Sequence, residues 1–109
     1  MEYFSGHIGR KQEIFELFSA TFTDSDGAEE GKTIGQLVND LMETTPTQDL
    51  FVFSAYDGQS FIGCIFFSRL NFEQDDRVVF ILSPVAVKPD RQKKGVGQQL
   101  IAYGLDELR

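Results

Sequence analysis

Apolar residues in the first half of the chain recur at three- and four-residue spacing. Between Lys11 and Phe22 they are Ile14, Phe15, Leu17, Phe18 and Phe22, the pattern of a helix with one apolar face. Asp24-Ser25-Asp26-Gly27 breaks that pattern, and a second one follows with Ile34, Leu37, Val38, Leu41 and Met42. Thr44 to Thr47, with Pro46, ends it. The period then changes. Leu50–Tyr56 and Phe61–Phe67 are apolar and aromatic runs joined across the turn dipeptide Asp57-Gly58, which predicts two antiparallel strands. Asn71 to Asp76 is polar and reads as a connection. Arg77–Val87 predicts a third strand interrupted by Pro84, which cannot donate to a ladder and so marks a bulge or a locally unpaired stretch. Gly95–Arg109, with Val96, Leu100, Ile101, Tyr103, Leu105 and Leu108, predicts a final helix with a broad apolar face. Residues 1–4 add a candidate short strand. The order (β)ααβββα predicts an α/β (α+β) fold with a mostly antiparallel sheet flanked by helices.

A chain of 109 residues has room for a single domain, 1–109, and one core. Its 41% hydrophobic and 25% charged residues are ordinary globular values, which argues against a disordered or fibrous chain. Eleven Phe and no Trp predict a core built around phenylalanine. The single cysteine, Cys64, excludes an intrachain disulfide, the first fifteen residues lack the apolar run of a signal peptide, and no stretch reaches the roughly 20 apolar residues of a membrane span. A cytoplasmic location and no membrane partner are the expectations. A net charge of −7 argues against nucleic acid as a partner.

Charge is uneven, and this changes the picture. Four of the ten basic residues, Lys88, Arg91, Lys93 and Lys94, fall within seven positions, in a loop bounded by proline and glycine. One basic loop on an acidic chain predicts an anionic ligand held at that place. Gly95-Val96-Gly97 leads from the loop into the last helix, where the first backbone N–H groups lack intrahelical partners and the helix dipole is positive. Glycines let a phosphate approach those donors closely. The spacing is neither that of a P-loop nor of the dinucleotide fingerprint G-x-G-x-x-G, because Leu100 stands where the third glycine belongs.

Gln92 to Gly97 reads Q-x-x-G-x-G, preceded by LSPVAVKP and followed by an amphipathic helix. This segment resembles motif A of the GNAT superfamily of acyl-CoA N-acyltransferases, and the order of elements before it is similar to that fold across essentially the whole chain. The resemblance implies an N-acetyltransferase that moves an acetyl group from acetyl-CoA to a primary amine, a small molecule or a peptide, with no metal. It implies that the amides of Gln92, Lys93, Lys94, Gly95, Val96, Gly97 and Gln98 bind the coenzyme A pyrophosphate. It further implies that Val85, Ala86 and Val87 offer backbone hydrogen bonds to the pantetheine arm and the acyl carbonyl. A splay at Pro84 agrees with this, since an amide-bearing arm can pair with an open strand. Domains of this family continue past the helix with further strands and a helix bearing a tyrosine used as general acid, so the chain is expected to be the N-terminal part of the fold. Two other readings stand beside catalysis: a non-catalytic acyl-CoA-binding or regulatory module, and an anion-binding interaction domain.

No side chain is identified as catalytic. His7, the sole histidine, sits between glycines near the terminus and reads as an exposed loop residue rather than a general base. Cys64 reads as a small core residue. Asp24-Ser25-Asp26-Gly27 fails as a calcium loop, because positions six and twelve hold Glu29 and Gly35. Glu73, Asp75, Asp76, Tyr56 and Tyr103 are weaker candidates for proton transfer. Asp24, Asp26, Glu29 and Glu30 read as an acidic loop, Thr23–Glu30, that would favour a cationic acceptor by electrostatic focusing. Finally, Val78–Leu82 would be an uncovered edge if nothing follows the last helix, and an uncovered edge predicts a homodimer.

Overall fold

The change of period near residue 50 separates two consecutive helices from three consecutive strands in the fold as well. A computed structural model describes the backbone of residues 1–71 and 78–108 and the side chains of residues 1–69 and 84–108. Strand β1 (Glu2–Ser5) leads to helices α1 (Lys11–Asp26) and α2 (Ala28–Thr44), then strands β2 (Leu50–Asp57), β3 (Ser60–Asn71) and β4 (Val78–Val87), and helix α3 (Val96–Glu107). Single 3-10 turns precede β2 at Thr47–Asp49 and follow β4 at Pro89–Arg91. The four strands form one antiparallel sheet in the order β1-β2-β3-β4. The α/β fold expected from the pattern is the fold found.

Two boundaries differ from the reading of the pattern, for one reason. Helix α1 runs on through Asp24, Ser25 and Asp26, and α2 begins at Ala28, six residues before its first apolar position. Gly27 alone forms the joint, at φ +101°, a conformation that strains any residue with a Cβ. Polar residues at helix ends carry no periodic signal, so the break looked longer than it is. The acidic loop Thr23–Glu30 is therefore two abutting helix ends.

The buried face of α2 is the one its apolar residues outline except at Leu37: Ile34, Val38, Leu41 and Met42 pack into the core, and two glycines join them. Gly31, Gly35, Val38 and Met42 are buried, whereas Leu37 is 44% exposed. A Cβ at Gly31 would overlap Thr23 Oγ1 and lie 2.6 Å from the Ser19 carbonyl, and one at Gly35 would lie 2.9 Å from Phe15 Cε2. The two glycines, four residues apart on one face, let α2 lie against α1 at backbone distance.

Alternation along the strands divides the core in two. Leu50, Val52, Cys64, Phe66 and Ala86 face α1 and α2, packed with Ile14, Leu17, Phe18, Val38 and Met42. Phe53, Ala55, Ile65 and Phe67 face the other way, toward Val96 and Leu100 of α3. The unbroken apolar run of β3 thus reflects burial on both faces. A bulge in the β2–β3 pairing, where Ala55 opposes Gly63 and Tyr56 opposes Phe61, inserts Ile62 into the α3 side.

Helix α3 is seated by two further glycines. A Cβ at Gly63 would lie 2.8 Å from Leu100 Cδ1, and one at Gly104 would lie 2.6 Å from Phe67 Cε2 and 3.0 Å from Phe53 Cδ2. Gly104→Ala therefore sets two effects against each other. Helix propensity favours alanine by about 1 kcal/mol, while overpacking a core costs about 1–3 kcal/mol. Phe53 and Phe67 are 3% and 2% exposed and pinned edge-to-face, so neither ring has space to retreat. Gly104→Ala is expected to lower the urea midpoint, and a rise would show that α3 is loosely seated.

Candidate cofactor site

The site is built at the end of β4 by the ladder itself. Opposite β3, Ile65 pairs with Val85 and Phe66 with Ser83, which leaves Pro84 as the extra residue of a bulge, where the sequence placed it. Beyond the bulge the Lys88 amide donates to the Ile62 carbonyl at 2.8 Å. Alternation in an antiparallel ladder then turns the backbone groups of Ala86 toward β3 and those of Val85 and Val87 toward the open edge. The Val87 carbonyl confirms this orientation, because it accepts a hydrogen bond from Gln92 Nε2 at 2.9 Å. Ala86 is 1% exposed, with its side chain in the α1-side core, so of the three predicted strand residues it has the fewest groups to offer a ligand.

The chain turns from β4 into α3 through two left-handed residues. The Arg91 amide bonds the Lys88 carbonyl at 2.8 Å, Lys93 has φ +67° and Gly95 has φ +82°. Lys93 is the only residue other than glycine with positive φ among those described, and a lysine held there carries a backbone cost. The first hydrogen bond of α3 runs from the Gln99 amide to the Gly95 carbonyl at 2.9 Å. The amides of Val96, Gly97 and Gln98 precede it and have no carbonyl of the helix to bond. Alternating left- and right-handed residues with converging N–H groups form an anion-binding concavity. No atom lies within 4 Å of where a Gly95 Cβ would stand, so the space beside the helix start is open.

An open cleft of about 350 Å³ lies here, lined by Val87, Arg91, Gln92, Lys93, Gly95, Val96, Gly97 and Gln98. Seven of the ten residues picked out in the sequence line it, whereas Val85, Ala86 and Lys94 do not. Arg91 lines the cleft and was counted only as part of the charge run. Its Nη1 donates to Asp57 Oδ2 at 2.6 Å, linking the loop to the β2–β3 turn. That hydrogen bond, with the positive charge behind it, holds the Asp57 carboxyl below the usual range. The pairing spans 34 residues, and no local pattern announces it.

A second cleft, of about 440 Å³, runs along α1 on the other side of the β4 end. Glu13, Glu16, Leu17, Ala20, Thr21 and Asp24 line one wall, and Phe61, Lys88 and Pro89 the other. Of the four carboxylates expected to focus a cation, only Asp24 faces it. Asp26, Glu29 and Glu30 do not, and Glu13 and Glu16 contribute instead. The Tyr56 hydroxyl donates to Glu13 Oε2 at 3.0 Å, and burial together with that bond raises its pKa.

His7 is buried, at 4% exposure, which corrects the expectation of an exposed residue. Its pKa is lowered by burial first and by the nearby Lys11 second, while Glu43 acts in the opposite direction. It lines neither cleft. Cys64 is fully buried as expected, accepts a hydrogen bond from Ser54 Oγ at 3.8 Å, and has its thiol pushed up to about 12 by burial. Tyr103 stacks on Tyr3 at 4.7 Å between ring centres. Glu73, Asp75 and Asp76 lie outside the described residues. Among the described residues no group of three or more His, Cys, Asp or Glu could hold a metal ion, and no helix is long and apolar enough to cross a membrane.

Comparison with known proteins bears on this arrangement directly. The model of the acetyltransferase (GNAT) family matches residues 11–109. The uncharacterized N-acetyltransferase YjhQ of Escherichia coli (strain K12) is 29% identical over 111 residues, covering 100% of this chain and 59% of that protein. The chain thus spans less than two thirds of that relative. A GNAT family acetyltransferase from Brucella melitensis, solved in complex with acetyl-CoA, is 26% identical with a TM-score of 0.80, over 99% of this chain and 68% of that one. The aminoglycoside acetyltransferase HMB0005 from an uncultured soil metagenomic sample has a TM-score of 0.71 at 15% identity, over 98% and 70% of the two chains, a likeness of fold alone. The family match takes in both helical layers, the bulged strand and the glycine loop, and the chain belongs to the acetyltransferase (GNAT) family.

Proposed function

We propose that this chain binds acetyl-CoA in the cleft at the β4–α3 loop and serves the transfer of its acetyl group to a primary amine. The observation that carries the reading is convergence. The helix-start amides of Val96, Gly97 and Gln98 and the cationic Lys93 line one cleft, and Val87, which also lines it, is the last residue of β4, whose outer edge leads to the cleft through Val85. The donor set suits the cosubstrate. Converging N–H groups at a helix start match a pyrophosphate, and an open strand edge matches an arm made of amides. Gln92 and Lys94 complete the loop, Gln92 by holding the Val87 carbonyl and Lys94 by adding exposed positive charge. Acetyl-CoA supplies an activated thioester, and the task of the chain is to place it and to polarise its carbonyl.

A primary amine attacks only when neutral, and a base acting through water suffices for proton removal. Glu13, Glu16 and Asp24 along α1 favour a cationic acceptor reaching that wall. A non-catalytic acyl-CoA-binding role is the second reading. It is favoured by one observation: no residue lining the 350 Å³ cleft is a carboxylate or an imidazole. Thiol release from acetyl-CoA with a panel of cationic and neutral amines decides between them. Release with at least one amine supports transfer, and CoA binding without release by any supports the second reading. Tighter binding of ATP than of CoA would overturn both.

Self-association belongs to the same proposal. β4 is, with β1, one of the two edge strands among the described residues, and Leu105 on α3 is 47% exposed. An edge with unpaired N–H and C=O groups pairs readily with a second copy. Sedimentation equilibrium at micromolar concentration is expected to give twice the 12.3 kDa of the chain. A monomer free of aggregates would remove the dimer from the proposal.

A further inference from the structure

Arg91 is the one arginine on the rim of the cofactor cleft, and it does not stand free. Its Nη1 is bonded to Asp57 Oδ2, the last residue of β2, at 2.6 Å. The neighbouring Gln92 is fixed to the Val87 carbonyl at 2.9 Å, and Lys93 sits at φ +67°. Three consecutive residues of the loop are therefore held in set positions, two of them by side-chain bonds to β-strand residues. Asp57 itself belongs to a rigid element. It pairs with Ser60 across a two-residue turn in which Gly58 has φ +62°.

The Arg91–Asp57 pair is exposed, with side chains 31% and 54% accessible, and such pairs add little to folding stability. Its effect falls on geometry. An arginine has five N–H donors in a planar fork, and a carboxylate that engages one nitrogen orients the rest. We propose that Asp57 is a positioning residue for the cofactor: it holds the Arg91 guanidinium at the cleft rim so that its remaining N–H groups face the pyrophosphate. The proposal rests on the reading of this cleft as a CoA site and extends it to a residue 34 positions upstream, in a different turn.

The sign of one substitution separates positioning from simple charge. Asp57→Asn removes a negative charge near an anion site, so electrostatics alone predicts tighter binding of CoA. Positioning predicts weaker binding, because a neutral amide oxygen accepts the guanidinium N–H only weakly, so the anchor is loosened and more side-chain entropy is lost on contact. Calorimetry on the folded chain is expected to show about tenfold weaker binding of both CoA and dephospho-CoA for Asp57→Asn, on the order of 1.4 kcal/mol. The slope of log Kd against log salt should also fall, because one fewer cation is engaged. Asp57→Glu keeps the charge and the bond and should restore most of the affinity. Thermal melts should place both variants within a few degrees of the parent, which a merely structural role would not combine with lost affinity. CoA binding by the parent with equal or tighter binding by Asp57→Asn overturns the positioning role alone. Failure of the parent to bind CoA overturns the reading of the cleft and the positioning role together.

Discussion

Gly95→Asp is expected to weaken CoA binding by about a hundredfold or more, roughly 2.7 kcal/mol. The residue caps α3 at φ +82°, and nothing occupies the space where its Cβ would stand. A carboxylate placed there would face the helix-start amides that a pyrophosphate would use. Two like charges 4 Å apart repel by about 4 kcal/mol at the effective permittivity of a protein surface, which exceeds the loss predicted. Backbone strain is the competing explanation, and Gly95→Asn controls for it. Asparagine and aspartate tolerate the left-handed region to a similar degree, so both variants carry the same strain and only one carries the charge. Asparagine is expected to retain affinity within about tenfold of the parent, well short of the loss converted above. Equal losses in the two would assign the effect to strain, and unchanged affinity in Gly95→Asp would remove this loop from the anion site.

The largest effect on folding is expected at Phe66. Its ring is fully buried between β3 and α1, edge-on to Phe18 at 5.4 Å between centres and 83° between planes. Phe18 in turn stacks with Phe22 at 6.4 Å, so the pair ties α1 to the centre of the sheet. Phe66→Ala is expected to cost about 3–5 kcal/mol, the transfer free energy of the ring plus the cavity it leaves. Domains of ordinary stability have only about 5–15 kcal/mol to lose, so the variant should unfold at much lower urea or fail to fold at 37 °C. Phe66→Leu keeps most of the volume and should lose markedly less. A cost under about 1 kcal/mol for the alanine variant would mean that α1 does not rest on this part of the sheet.

The Gly95 effect is visible in the sequence, whereas the Phe66 effect is not. Phe66 could be assigned to a core from its place in an apolar run, but the run does not say which face each residue takes. Bulges decide that. The extra residue Ile62 turns the first part of β3 over, so that Phe61 lies on the α1 side although Gly63 and Ile65 lie on the other. Pro84 was a legible bulge because proline has no N–H to give, whereas Ile62 carries no such mark.

The shape of the loop between β4 and α3 was legible because what forms it is local. Glycines at a helix start, cations beside them and a proline in the preceding strand all act within about fifteen residues, so spacing alone could specify the arrangement. The same locality explains why three strands and three helices followed from hydrophobic period, while β1, too short for a period, was only a candidate and the ends of α1 and α2, where the period is silent, were misplaced. What joins distant segments was not legible. The Asp57 anchor of Arg91, the burial of His7, the transfer of the acidic wall from the α1–α2 joint to Glu13, Glu16 and Asp24, and the use of Gly31, Gly35, Gly63 and Gly104 as seats for helices all depend on which surfaces meet. A glycine in a sequence shows only that a side chain is missing, and an aspartate only that a charge is present. Whether a helix or a guanidinium fills the space beside them is set by packing between elements, which no single stretch of the chain contains.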